Sequence, residues 1–226
     1  MKEADRLARN TQRLTEMYAP MAPVVRRMLT RLEDQGFRPR IQGAWRSKAD
    51  QLKAFHHGTS QVTFGFHNVT AKDGTKESLA CDVLDDDHPL APPTKYLLAL
   101  AIAARAENLE TGILWGLKPS LIAGVEAAIA AVDLDRDVKV GFDPTHVQPA
   151  GITIAQAKAG KRPTFTAGAK KDGGKGPKKF HVVEPKETLS AIAKKFSLTL
   201  AQILALNPAK QENPNLIKVG EKIRVA

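Results

Sequence analysis

Asp143-Pro144-Thr145-His146 is the stretch from which the rest of the chain is read. It gains meaning from two upstream features, His67 and the tripeptide Ala80-Cys81-Asp82. Zinc in a hydrolase keeps three protein ligands drawn from His, Asp and Glu and leaves a fourth position open to water. His67, Asp82 and His146 supply such a set. A carboxylate three residues before the last ligand lies close enough to take a proton from the attacking water, and Asp143 fills that position. Spacing alone is a weak signal, because six histidines and 24 carboxylates offer chance combinations.

The order of the surrounding motifs is more specific. Gly43-Ala44-Trp45-Arg46-Ser47 is followed by Gln51, Gly58-Thr59-Ser60, His67, Ala80-x-Asp82, Leu114-Trp115-Gly116 and Asp143-x-x-His146. Over residues 20 to 150 this order resembles the VanY-like zinc peptidases, which include D-Ala-D-Ala carboxypeptidases and the L-Ala-D-Glu endopeptidases of phage lysins. The resemblance implies Zn2+ as cofactor, with His67, Asp82 and His146 as ligands and Asp143 as catalytic base. It also implies that Arg46, with Gln51 one helical turn on, contacts the substrate; a surface ion pair is the plainer reading of Arg46. Ser60 either touches the substrate or caps its loop. Trp115 either walls the pocket or belongs to the core.

One departure from the family pattern concerns Asp82. Fourteen residues separate it from His67, where the family often has a short HxxGxAxD segment. Asp73-Gly74 lies within the extra length and is a favoured hairpin turn, so an inserted hairpin carries the chain out and back without moving either ligand. Asp85, Asp86, Asp87 and His88 follow closely, but Asp82 fits the Ala-x pattern and ends an apolar stretch. The Asp85 to Asp87 run reads as a solvated turn.

A chain of 226 residues holds one medium domain and one small one. Leu97 to Ala106 is too short to span a bilayer and ends in charge, so no stable membrane insertion is expected. The sequence from Met1 to Arg6 lacks the basic-then-apolar layout of a secretory signal. A single cysteine, Cys81, suits a reducing compartment and reads as buried filler, since strand alternation points it away from Asp82's face. The net charge of +10 is concentrated late: 14 Lys and Arg stand against 5 Asp and Glu from residue 161 onward, compared with 20 and 19 before it. That placement argues against a catalytic groove built for nucleic acid and suits attraction to an anionic cell envelope, with nucleic-acid binding as the plainer reading of the charge.

Residues 2 to 35 show helical spacing through Leu7, Leu14, Met17, Val25, Met28, Leu29 and Leu32, broken in two by Pro20 and Pro23 and stopped at Gly36. The arginines here read as a solvated face. A strand is expected over 39–45, a helix from the Ser47 cap through His56 or His57, a helix over 92–108, a strand over 112–115, a helix over 120–132 and a strand over 138–147. His56 and His57 suit an exposed helix end. The fold class is therefore α+β: a helix-rich zinc peptidase domain over 1–160 with a small antiparallel sheet. Residues 161–179, with seven basic residues and one acid among glycine and proline, form a linker.

From Phe180 the apolar pattern returns as strand, helix, helix, strand. Val182, Thr188-Leu189, Ile192-Ala193, Leu204, Asn207-Pro208, Ile217, Gly220 and Ile223 resemble a LysM domain, placing a small βααβ module at 180–226. Lys186-Glu187 stand where that family commonly has Gly-Asp. The resemblance implies a groove for N-acetylglucosamine-containing glycan between two loops, here Glu184, Lys186, Glu187 and Thr188 on one side and Asn213, Asn215, Leu216 and Ile217 on the other. Leu189, Ile192, Phe196 and Leu204 are expected in the core.

Together the two resemblances imply an endolysin-type peptidase, monomeric, whose partner is bacterial peptidoglycan, both its stem peptide and its glycan. Such a protein accumulates in the host cytoplasm before lysis and then acts on the wall. The alternatives are a cellular D,D-carboxypeptidase, and a non-catalytic wall-binding or virion structural protein.

Overall fold

The computed structural model describes residues 1–165, 180–185, 187–196, 203–204, 207, 210 and 217–225. The chain divides into two compact units, Met1–Ala167 and Gly168–Ala226, each with its own apolar core. Most of the expected linker, residues 166–179, lies outside the described residues. Its first five belong to the first unit, where Arg162 pairs with Glu77 at 2.8 Å and Phe165 packs against the core.

The first unit runs α1 (Glu3–Leu14), α2 (Ala22–Glu33), β1 (Pro39–Gly43), α3 (Lys48–His56), a 3₁₀ turn (Phe66–Asn68), β2 (Cys81–Asp85), α4 (Thr94–Ala106), β3 (Leu109–Gly112), α5 (Pro119–Ala131), β4 (Asp143–Pro149) and α6 (Ile154–Lys158). Its four strands form one antiparallel sheet in the order β1-β2-β4-β3, the expected α+β architecture. α4 and α2 supply more buried apolar residues than any other elements of the unit, with Val25, Met28, Leu32, Leu98 and Leu100 fully buried. Tyr96 is buried whole and donates its hydroxyl to the Val83 carbonyl at 3.2 Å.

Apolar spacing misjudges α1. Leu7 is 46% exposed, whereas Arg6 and Asn10 are buried. The cause is the edge strand β1, whose outer backbone groups need partners. Asn10 donates to the Pro39 carbonyl at 2.9 Å and accepts from the Ile41 amide at 2.7 Å. Arg6 also donates to the Pro39 carbonyl, and Arg9 to that of Ile41. Polar side chains of the helix thus stand in for a missing strand, and Arg6 and Arg9 are structural rather than solvated, whereas Arg26 and Arg27 on α2 are exposed as expected. The two helices expected on either side of the prolines are found, and Pro23 sits in the first turn of α2, where its missing N–H costs nothing.

Two further expectations are corrected. Asp85 and Asp86 are buried rather than in a solvated turn. Asp86 lies 2.9 Å from Arg40 and 3.2 Å from Arg38, and Asp85 lies 3.0 Å from His88. The strand expected at 112–115 is found at 109–112, because Asn108 takes a left-handed conformation (φ 58) and turns the chain into it early. Residues 113–116 form a turn, closed by the Trp115 amide on the Gly112 carbonyl at 3.0 Å.

The second unit pairs β5 (Phe180–Val182) with β6 (Lys222–Arg224) in antiparallel register, with α7 (Leu189–Lys195) between them in sequence. Val183, Leu189, Ile192, Ala193, Ile203, Ile223 and Val225 form its core. Of the expected second helix only Ile203 and Leu204 are described, and both are helical. Phe196 departs from the expected core. It follows the last turn of α7, is 38% exposed, and lies against the His181 ring at 5.5 Å. The Asn207 amide ties the unit together, donating to the carbonyls of Ile203 (2.7 Å) and Arg224 (2.8 Å) and accepting from the Arg224 amide (2.8 Å). Asn207→Ala should cost this unit about 1–3 kcal/mol, since it strands backbone groups of β6. A module this small has little stability in reserve. In thermal unfolding of the full chain, the second unit should melt earlier while the first is unchanged; an unaltered trace would deny the amide this role.

Among the described residues, no helix is long and apolar enough to cross a membrane.

Candidate metal centre

Strand register creates the site. β2 and β4 are neighbours, and Asp82 stands directly opposite His146. Alternation along β2 buries Cys81 and Val83 on one face and turns Asp82 to the other. Cys81 is fully buried, burial pushes its thiol up, and it is not among the converging ligand atoms.

His67 arrives on the 3₁₀ turn, which is pinned on both sides. The Arg46 amide donates to the His67 carbonyl at 2.9 Å, and Asn68 donates to the Arg46 carbonyl at 2.9 Å. The extra residues between His67 and Asp82 leave as a hairpin, with Thr70 bridged to Lys76 and the turn at Asp73-Gly74 (φ +87 at Gly74). The Leu79 amide then donates to the Phe66 carbonyl at 3.0 Å, so the insertion closes on itself before Asp82 is reached.

Three ligand atoms converge. His67 Nε2 lies 3.3 Å from His146 Nδ1 and 3.3 Å from Asp82 Oδ1, and His146 Nδ1 lies 3.4 Å from Asp82 Oδ1. Tetrahedral coordination at about 2.0–2.1 Å requires ligand atoms roughly 3.3–3.4 Å apart, so the triangle fits a zinc-sized ion. Among the described residues this is the one such cluster. The His67 ring is oriented by its Nδ1, 2.5 Å from the Ala44 carbonyl. A carbonyl only accepts, so Nδ1 carries the hydrogen and Nε2 presents its lone pair to the cluster.

The charges are arranged accordingly. Burial favours a neutral Asp82, but His67 and His146 outweigh it and hold the carboxyl well below its usual range. Burial likewise opposes a charged His67, and Asp82 reverses this, raising it. Asp143, at the start of β4, is raised by burial and by the Asp82 carboxylate, against the pull of His146, His67 and Arg46.

Gln51 and Ser60 lie behind Arg46. Gln51 is 2% exposed; its Oε1 accepts from Arg46 at 3.1 Å, and its Nε2 donates to Ser60 Oγ at 2.7 Å and to the Val62 carbonyl at 2.6 Å. Gln51 thus steers the guanidinium, and Ser60 ties its own loop. Trp115 lies beside the cluster, its ring 5.2 Å from His146 and 5.7 Å from Phe142. Phe142 is 60% exposed and extends this aromatic wall. Sequence reasoning passed over Phe142, which has no periodic pattern to mark it. It also passed over Gln148 and Glu110, although period-two alternation on β4 places Gln148 on the face of His146.

In the second unit the Glu187 carboxylate accepts from the Glu184 amide at 2.8 Å and pairs with His181 at 2.5 Å, contacts that hold its carboxyl down to about 2. Thr188 caps α7 by accepting from the Ala191 amide at 3.2 Å. Glu184 is exposed and Ile217 packs partly against the core. Lys186, Asn213, Asn215 and Leu216 lie outside the described residues.

Comparison with known proteins adds one assignment. A LysM domain matches residues 181–226. Among solved structures, the chain is similar to the crystal structure of Serratia marcescens L-Ala D-Glu endopeptidase ChiX, at 19% identity over 63% of this chain and 87% of that one, with a TM-score of 0.40. At that distance the first unit is interpreted from its own residues. No curated protein matches the chain.

Proposed function

We propose that the chain is a zinc-dependent, endolysin-type peptidase that hydrolyses the stem peptides of peptidoglycan while its LysM domain holds the wall glycan. The observation that carries this reading is the near-equilateral triangle of His67, Asp82 and His146, with Asp143 on the same strand as His146 and a LysM domain in the same chain. Zn2+, when bound there, supplies a Lewis acid that polarises a carbonyl and makes water acidic enough to be deprotonated near neutral pH.

The chain's own residues do the rest. Asp143 accepts the proton of the attacking water and delivers it to the departing amine; its raised affinity for protons suits both transfers. Arg46, aimed by Gln51, takes a carboxylate or carbonyl of the peptide in its fork. Trp115 and Phe142 flank the reacting bond and limit water there. Within the LysM domain, Glu184 and Thr188 on one loop and Ile217 on the other line the sugar groove, chiefly through backbone groups, and Glu187 shapes the first loop from within; Lys186, Asn213, Asn215 and Leu216, outside the described residues, are assigned to the groove from the sequence alone.

The bond hydrolysed is either L-Ala-D-Glu or one containing D-Ala. Mass spectrometry of purified peptidoglycan digested with and without a zinc chelator decides. New amino termini that vanish with chelator are expected, and their identity separates the two bonds. An unchanged muropeptide pattern, with the protein still sedimenting with the wall, would leave only a wall-binding protein.

A further inference from the structure

His146 Nε2, the ring nitrogen facing away from the cluster, lies 3.1 Å from Gln148 Oε1, and Gln148 Nε2 donates to Glu110 Oε1 at 2.6 Å. The three side chains form a line from β4 to the edge strand β3, where Glu110 stands opposite Gln148 in register. Each link fixes the next. A carboxylate oxygen accepts, so the Gln148 NH2 must face Glu110. The Gln148 carbonyl oxygen therefore faces His146 and requires a hydrogen on Nε2. That leaves Nδ1 bare, and Nδ1 is the atom 3.3–3.4 Å from the other two ligands.

We propose that Glu110 and Gln148 are positioning residues that fix the tautomer and ring orientation of His146 for metal binding. This rests on the zinc-peptidase reading above. His67 has its hydrogen placed by a backbone carbonyl, which no substitution removes. For His146 the same task falls to two side chains, so it can be altered without touching a ligand. Glu110 is half-buried and lines an open cavity of about 470 Å³ with Arg105 and Glu126, so an isosteric change there disturbs no packed core.

The design of the test follows from donor and acceptor counting. In Glu110→Gln the new amide also presents an NH2, so the pair of amides can reverse and offer an N–H to His146 Nε2, which moves the hydrogen to Nδ1 and blocks the ligand. In Gln148→Glu two carboxylates face each other and repel, which drives the new carboxylate off His146 Nε2 and leaves that hydrogen unplaced. The double exchange Glu110→Gln with Gln148→Glu restores the pattern: the carboxylate at 148 accepts from both His146 and the new amide at 110.

Zinc affinity of the full chain is measured by competition with a chromogenic chelator, together with the visible absorption of the Co2+-substituted protein and a thermal melt. Each single variant should bind zinc roughly 10–100-fold more weakly, the range seen when such outer partners are lost. The double exchange should return to within a few-fold of wild type and regain its Co2+ spectrum. Wild-type affinity in Glu110→Gln, or a double exchange no better than the single variants, would overturn the proposal while leaving the zinc reading intact. Failure of the unaltered chain to bind zinc would overturn both.

Discussion

Asp143→Ala is expected to lower peptidoglycan turnover by about 10²–10⁴-fold while leaving bound zinc unchanged. The two halves of that expectation come from different observations. Asp143 lies outside the triangle of converging ligand atoms, so its removal deletes no metal ligand. Yet its carboxyl is raised by burial beside Asp82, the condition in which a carboxylate takes up a proton and later gives it back. The same burial predicts that the variant melts no lower than wild type. A raised carboxyl means that the fold disfavours the half-buried carboxylate on balance, and alanine removes it. His146→Ala is the contrast, losing zinc and turnover together. Rates set against metal content after dialysis separate the cases. An Asp143→Ala protein that cleaves at the wild-type rate would remove Asp143 from the reaction.

How far the sequence reaches can be judged from particular residues. Asp82 and His146 belong to strands whose alternation is visible in the chain, and the structure brings them together with His67 across a hairpin whose Asp-Gly turn is equally local. The Ser47 and Thr188 caps are local as well, each hydroxyl reaching an amide three residues on. Features set by long-range pairing were not legible. Arg6 and Asn10 sit on a polar stripe that spacing assigns to solvent, and only the unpaired edge of β1, some 30 residues away, draws them inward. Asp86 reads as a turn residue until Arg38 and Arg40 from the adjoining strand region surround it. Glu110 and Gln148 become partners only through the register of β3 against β4. The sequence leaves Trp115 between core and pocket, and only the turn at 113–116 sets its ring against His146.

That turn is also where the second large effect is expected. It packs backbone to backbone against the segment leading into Asp143, and two glycines make the approach possible. A side-chain carbon at Gly112 would collide with the Asp143 carbonyl oxygen and come within 2.8 Å of its carbonyl carbon and 2.9 Å of the Trp115 ring. One at Gly141 would lie 2.5 Å from the Gly112 carbonyl oxygen and 2.6 Å from both the amide and the carbonyl of Trp115. All of these obstacles but the Trp115 ring are backbone, and backbone cannot rotate away. Gly112→Ala or Gly141→Ala should therefore destabilise the first unit by about 3 kcal/mol or more. In a unit of this size that lowers its melting temperature by roughly 6–12 °C. Gly124, inside α5 with nothing within 4 Å of the added carbon, is the control of opposite sign. Gly124→Ala should stabilise by about 0.5–1 kcal/mol through helix propensity. The glycine variants at the turn carry a second consequence that a loss of stability alone does not. Trp115 and Asp143 flank the same cluster, so separating the two segments moves the proposed base relative to His146. Below their melting temperatures, both variants should keep zinc and still turn over more slowly than Gly124→Ala. Full activity in folded Gly112→Ala would mean that the contact serves stability only.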